Sequence, residues 1–235
     1  LKIWGISATI GNMEQAVEAL MGRNTFKTEQ ASANTHAIII RANLQKLIEV
    51  RSIMPDTLEK MPWAGHLGIH LLSKVVDIVK QSKTTLIFTN TRSFAEIWYQ
   101  KMLEVAPELS GLIAMHHGSI SQELRQWVEE QLHEGKLKGV VCTSSLDLGV
   151  DFRPVETVIQ VGAPKGVARF LQRAGRSGHQ PGATSSIYFV PTHSLELMES
   201  AATREAIAQN IVEDRLPYIR SYDVLVQYLI TLAVG

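Results

Sequence analysis

The stretch Lys138-Gly139-Val140-Val141-Cys142-Thr143-Ser144-Ser145 decides how the rest of the chain is read. A short apolar run, too brief for a helix, stops abruptly in three hydroxyls. That is the pattern of a strand buried in a parallel sheet which delivers polar groups at its carboxyl end. The pattern recurs on either side: Leu86-Ile87-Phe88 runs into Thr89-Asn90-Thr91-Arg92, and Ile113-Ala114-Met115 into His116-His117-Gly118-Ser119. Strands are accordingly expected at residues 2–7, 36–41, 84–89, 112–116, 138–143, 157–161 and 185–190. Between them the apolar spacing changes to the helical period. Over residues 65–81, Leu67, Leu71, Leu72, Val75, Val76 and Val79 share one face. Ser93 with Glu96 reads as a capping box opening a helix that buries Ala95, Trp98, Met102 and Leu103. Ser121 caps another, with Leu124, Trp127, Val128 and Leu132 turned inward.

Strands alternating with helices predict an α/β fold, a mostly parallel sheet sandwiched by helices. Residues 42–64, interrupted by Pro55 and Pro62, read as a connection or insertion at the edge of the sheet. A helix over about 194–210 follows Pro191, and Pro217 separates it from an apolar segment at 222–234.

Composition narrows the function classes only a little. The chain has 235 residues, with 23 Lys and Arg against 23 Asp and Glu, so an anionic partner has to be sought in local clusters. The single Cys142 excludes an internal disulfide and a cysteine zinc site. No apolar run approaches the roughly 18 to 20 residues of a membrane span, and the start lacks a signal-peptide pattern. A cytoplasmic protein without a membrane partner is expected. The chain opens without Met inside a strand-like run, which suggests a piece of a longer protein.

In an open parallel sheet, ligands bind beyond the carboxyl ends of the strands. Hydroxyls, amides and backbone N–H groups gathered there suit phosphates held without reference to base identity. Taken one loop at a time, the same residues are also ordinary helix caps. A sharper signal is Gln172-Arg173-Ala174-Gly175-Arg176-Ser177-Gly178-His179. Lys165, Arg169, Arg173 and Arg176 recur at helical spacing, and residues 164–181 contain no carboxylate, so this basic stripe is expected to face an anion. Gly175 and Gly178 would let the backbone turn tightly and aim Arg176, a rigid and permanently charged fork, at a phosphoryl group.

These segments resemble the large-helicase-related branch of superfamily 2 helicases, most closely the bacterial ligase-associated DEXH-box type. Ser7-Ala8-Thr9 is similar to motif III, residues 86–92 to motif IV and residues 116–119 to motif IVa. Thr143-Ser144-Ser145-Leu146-Asp147-Leu148-Gly149-Val150-Asp151 resembles motif V, and residues 172–179 resemble motif VI. The resemblance implies the second of two RecA-like lobes that clamp ATP and Mg2+ between them. It gives Arg176 the role of arginine finger, with Gln172 at the same interface. Gly149, Asp151, Arg173 and His179 would lie near the nucleotide. Thr89, Asn90, Thr91, Arg92, His117, Gly118, Ser119, Thr143 and Ser144 would contact the phosphate backbone of one strand. Ser7, Ala8 and Thr9 would couple closure to the first lobe. Where the family pattern often ends motif VI in a second Arg, this chain has His179, so the finger falls on Arg176 alone.

The implied domains are the end of the first lobe and a linker (1–25), the second lobe (26–212), and a linker with the first helix of a winged-helix domain (213–235). The phosphate loop Gly-x-x-x-x-Gly-Lys-Ser/Thr and an Asp-Glu-x-His box are absent from the chain. Magnesium ligands are therefore expected in the first lobe, and this piece alone is expected to be inactive. The whole would be an ATP-dependent DNA or RNA:DNA helicase and translocase in DNA repair, with single-stranded DNA or a DNA-containing duplex as substrate. A DNA ligase or nuclease is a conceivable working partner. The competing reading is a nucleic-acid-binding or protein-docking module that keeps the fold without the motor.

Overall fold

Among the described residues six short runs form strands: β1 (Ile48–Ser52), β2 (Thr85–Phe88), β3 (Ile113–His116), β4 (Gly139–Cys142), β5 (Thr157–Val161) and β6 (Ser185–Val190). In the computed structural model they make one all-parallel sheet in the order β1-β6-β5-β2-β4-β3. The structure describes residues 4–7, 9–21, 38–40, 47–56, 67–147, 155–178, 184–214 and 221–234. They fall into two compact units. The larger is Ala42–Val212, and the smaller combines Leu1–Arg41 with Glu213–Gly235.

The larger unit is a three-layer sandwich because its central strands are apolar on both faces. Alternation along β2 turns Ile87 to one side and Leu86 and Phe88 to the other, and β4 divides Val141 from Val140 and Cys142 in the same way. On the first side the helices α2 (Leu72–Gln81) and α3 (Arg92–Val105) supply Val75, Val76, Val79, Ala95, Trp98 and Met102. On the second, α4 (Gln122–His133) supplies Val128 and Leu132, and α5 (Val167–Ala174) supplies Phe170 and Ala174. α6 (Ser194–Ala208) follows the last strand. Five of the expected strands are present within a residue of their predicted ends.

Several local expectations are corrected. The cap of α3 is Thr91, whose Oγ1 accepts from the Phe94 N–H at 3.3 Å, so Ser93 and Glu96 lie inside the helix rather than forming a capping box. Leu124 and Trp127 are exposed rather than inward. α4 lies over the edge strand β3, where only the narrow stripe through Val128 and Leu132 meets other core residues. Residues 42–64 hold a strand after all. Ile48-Glu49-Val50-Arg51 alternates apolar and polar, and among the described residues β1 pairs only with β6, at the sheet edge where the prolines predicted nothing regular.

The smaller unit contains α1 (Met13–Leu20) and α7 (Tyr222–Val234). Residues 4–7 are irregular rather than a strand, and so are 38–40. α7 buries none of its residues, although Val224, Leu225, Leu229, Ile230 and Leu232 are apolar.

Buried polar groups tie neighbouring strand ends together. His116, at the end of β3, is 1 % exposed; its Nδ1 lies 2.7 Å from Ser145 Oγ and its Nε2 lies 3.0 Å from Glu129 Oε1 on α4. Burial pulls its pKa below the ordinary imidazole value, an effect that Glu129 opposes and the charge of Arg125 reinforces. Among the described residues the largest fully buried side chain is Trp98, whose Nε1 donates to the Leu67 carbonyl at 2.8 Å.

Two measurements test this packing. Trp98→Ala should lower unfolding free energy by about 3–5 kcal/mol in urea titration; a loss below 1 kcal/mol would deny Trp98 its place in the core. For His116 the folded pKa lies below the unfolded one, so its contribution is complete above the unfolded pKa. It declines as pH falls through that value, about 6.5, because the unfolded chain takes up the proton first. His116→Asn should flatten stability between pH 7 and pH 5.5 relative to the parent, as followed by thermal melts.

Candidate nucleotide and nucleic-acid interface

Parallel strands end at one edge of the sheet, so the loops after β2, β3, β4 and β5 are neighbours. Thr89, directly after β2, is fully buried; its N–H donates to the Cys142 carbonyl at 2.8 Å, and its Oγ1 lies 3.2 Å from both the Cys142 and Thr91 carbonyls. Its side chain joins β2 to β4 rather than facing outward. Asn90, Thr91 and Arg92 are exposed. Asn90 Nδ2 donates to the Ala163 carbonyl at 3.0 Å, and Arg92 Nη1 donates to Ser119 Oγ at 3.0 Å, which brings the loops after β2 and β3 together.

His117 is buried like Thr89. Its Nδ1 accepts from the Ser119 N–H at 3.2 Å, which leaves the proton on Nε2, 3.5 Å from Glu96 Oε1. The imidazole shapes the loop, and Gly118 and Ser119 are the exposed members. After β4, the half-buried Thr143 donates its N–H to the His116 carbonyl at 3.2 Å, and the exposed Ser144 opens the 3₁₀ turn Ser144–Leu146. The outward face of these three loops thus carries the Arg92 guanidinium with hydroxyls and amides around it. Thr89 and His117 stand behind that face.

The basic stripe divides differently from its sequence spacing. Arg173 is 2 % exposed, so it does not reach a nucleotide as expected. Its Nε donates to Asp147 Oδ1 at 2.8 Å and its Nη2 to Oδ2 at 3.3 Å, while Nη1 donates to Gln160 Oε1 of β5. The guanidinium carbon stacks 4.7 Å from the centre of the Phe88 ring. The carboxylate missing from residues 164–181 comes from the turn after β4, and it also draws Arg169 Nε to 3.5 Å of Oδ2.

Arg176 lies just past the end of α5 and is partly exposed. Its Nε and Nη2 donate to the Asp147 backbone carbonyl at 3.2 and 2.7 Å. Burial nudges its pKa down and Asp147 opposes that, which leaves a guanidinium charged at any working pH. Gln172 is likewise partly exposed. Of the two glycines, Gly175 has an ordinary helical φ of −58°. Gly178 has φ +62°, and a Cβ there would come within 2.9 Å of the Thr184 carbonyl oxygen, so the turn is fixed at Gly178. Gly149, Asp151, His179 and Ala8 lie outside the described residues. Ser7 is exposed and Thr9 partly so, both in the smaller unit.

Sequence reasoning missed Asp147, Gln160 and Glu196. Asp147 was visible as the one carboxylate in an otherwise apolar and hydroxylic turn. Glu196 is 5 % exposed, and it accepts from the Thr192 N–H and Oγ1 at 2.5 and 2.9 Å and from the Ala163 N–H at 2.7 Å. It braces the loop that holds Asn90. Among the described residues no three His, Cys, Asp or Glu side chains are grouped to hold a metal, and no helix is long and apolar enough to cross a membrane.

Residues 69–180 match the helicase conserved C-terminal domain family. The ATP-dependent helicase Lhr-Core protein 2 of Thermococcus barophilus is 34% identical over 236 residues, covering 98% of this chain, and the chain spans only 26% of that relative. The Lhr helicase/probable uracil glycosylase of Mycolicibacterium smegmatis is 30% identical over 263 residues, covering 97% of this chain and 16% of its own length. The structure of Mycobacterium smegmatis helicase Lhr bound to ssDNA and AMP-PNP superposes with a TM-score of 0.80 at 33% identity, over 97% of this chain and 29% of that one. The six-stranded parallel sheet, the order of motifs along its carboxyl edge and these likenesses together make this chain a member of the Lhr-like branch of superfamily 2 helicases, carrying the C-terminal RecA-like lobe.

Proposed function

We propose that this chain is the second motor lobe of an ATP-dependent DNA, or RNA:DNA, helicase and translocase that works in DNA repair. The observation that carries the reading is Arg176: a charged, partly buried fork held by a backbone carbonyl beside the strand-end loops. A permanently charged group fixed on the turn that opens at the exposed Ser144 suits an anion that arrives and leaves, as a γ-phosphoryl group does.

In this reading Arg176 is the arginine finger and Gln172 lies beside it against ATP, with Gly149, Asp151 and His179 near the nucleotide. The first lobe brings the phosphate loop and the Mg2+ ligands. Asn90, Thr91, Arg92, Gly118, Ser119, Thr143 and Ser144 grip the phosphates of one strand, while Thr89 and His117 shape the loops that do so. Closure of the two lobes and reopening after hydrolysis move this edge along the strand. Ser7, Ala8 and Thr9 couple that closure to the first lobe, and residues 213–235 lead into a winged-helix domain. The AMP-PNP and single-stranded DNA present with the mycobacterial relative support both ligand classes.

In the full-length protein, Arg176→Ala should cut the ATP hydrolysis rate by roughly 10³-fold or more while single-strand affinity stays within threefold. Turnover within tenfold of the parent would remove the finger. Arg92→Ala should weaken single-strand binding and lower the slope of log K against log salt by about 0.7, one phosphate contact on a single strand. An unchanged slope would take Arg92 out of the groove.

A further inference from the structure

Arg173 and Asp147 have no place among the groups that touch ATP or strand, yet the Arg176 guanidinium donates twice to the Asp147 carbonyl. Three observations define the arrangement. Arg173 is almost wholly buried and is fixed on three sides, by Gln160 of β5, by the Phe88 ring at the end of β2 and by the Asp147 carboxylate. Asp147 is itself 6 % exposed, so its carboxylate has no competing solvent position. The carbonyl of that same residue accepts both Nε and Nη2 of Arg176. Side chain and main chain of one residue therefore meet two arginines three positions apart, one within the last turn of α5 and the other just after it.

We infer that Asp147 and Arg173 are a positioning pair that fixes where the Arg176 guanidinium stands, an assignment that rests on Arg176 being the arginine finger. The geometry gives the reason. A carbonyl that accepts the Nε edge of a planar guanidinium directs the opposite edge of the fork away from it. The aim of that edge is then as exact as the location of the carbonyl. The Asp147 backbone follows a short 3₁₀ turn, whose own hydrogen bonding is weak. What holds it is the carboxylate clamped on Arg173, and Arg173 is held by the two central strands. The sheet therefore reaches the finger through two contacts, Arg173 to the Asp147 carboxylate and the Asp147 carbonyl to Arg176.

The same turn begins at Thr143 and Ser144, which the proposed function places on the strand. A shift of the turn on strand binding would carry the carbonyl, and with it the finger. The pair thus also joins strand contact to hydrolysis inside this one lobe.

The test uses the full-length protein and compares four forms: the parent, Arg176→Ala, Asp147→Asn, and the charge-free double variant Asp147→Asn with Arg173→Gln. The double variant matters because Asp147→Asn alone leaves a buried guanidinium without a counter-charge. ATP hydrolysis is measured with saturating single-stranded DNA, with KM for ATP, strand affinity and the thermal midpoint in parallel. A positioning pair predicts that the folded variants lose kcat by tenfold or more, with KM for ATP and strand affinity within threefold of the parent. It also predicts that strand stimulation of hydrolysis falls with kcat. Parent-like kcat in the folded double variant would overturn the assignment. So would a parallel loss of kcat, KM and strand affinity, or failure of both variants to fold, because the pair would then serve stability alone. Arg176→Ala separates the two readings. If it retains turnover, the finger itself is wrong; if it abolishes turnover while the double variant does not, only the positioning role is wrong.

Discussion

A guanidinium with 2 % of its surface exposed has to be neutralised where it sits, and Arg173 is neutralised by the Asp147 carboxylate. Removing one partner of such a pair leaves a buried charge at a cost of about 3–5 kcal/mol, whereas replacing both with well-packed neutral groups is often tolerated. The pair is therefore a constraint more than a source of stability. It requires the turn after β4 and the end of α5 to keep one relative arrangement, and the two motifs they carry keep it with them. Gln160 and the Phe88 ring extend the requirement to the two central strands. A side chain that looked like part of an exposed basic stripe is the fastening of the site.

Behind that fastening the sheet does the coarse positioning. Because the six strands described run parallel, their carboxyl ends lie on one edge, and the buried Thr89, His116 and Glu196 stitch neighbouring loops to each other while His117 fixes its own. His116 does so through the side chains of Ser145 and Glu129, and Thr89 and Glu196 through backbone groups. The exposed residues of the same loops, Asn90, Arg92, Ser119 and Ser144, stand on this scaffold. A division of labour follows within single short segments: in each loop one residue holds the fold and its neighbour faces solvent.

That division explains what was legible in the sequence. Strand and helix identity came through because central strands of a parallel sheet are apolar on both faces and short, and helices that cover them carry a clear stripe. β1 escaped because an edge strand buries only alternate residues, and flanking prolines suggested a loop. Leu124 and Trp127 were misplaced because helical spacing says which residues share a face and not how wide the covered face is. In the candidate site, residue types and order pointed to the carboxyl edge of the sheet, where the loops after β2, β3 and β4 do lie together. They could not say that Thr89 and His117 turn inward, since a hydroxyl that caps a loop and one that meets a phosphate are the same residue. For Arg173 the decisive partner lay 26 residues away on another element. Charge balance read along one helix has no access to a carboxylate supplied across the fold.

The central claim is geometric: the Asp147 carbonyl fixes one edge of Arg176 and the other edge serves the transferring phosphoryl group. The most direct measurement is a structure of the full-length protein with single-stranded DNA, ADP, Mg2+ and tetrafluoroaluminate. The account predicts an Arg176 nitrogen within hydrogen-bond distance of a fluoride while Nε keeps the Asp147 carbonyl and Arg173 stays buried on the Asp147 carboxylate. An Arg176 remote from the fluoride, or an Arg173 drawn out of the core to meet it, would contradict the account.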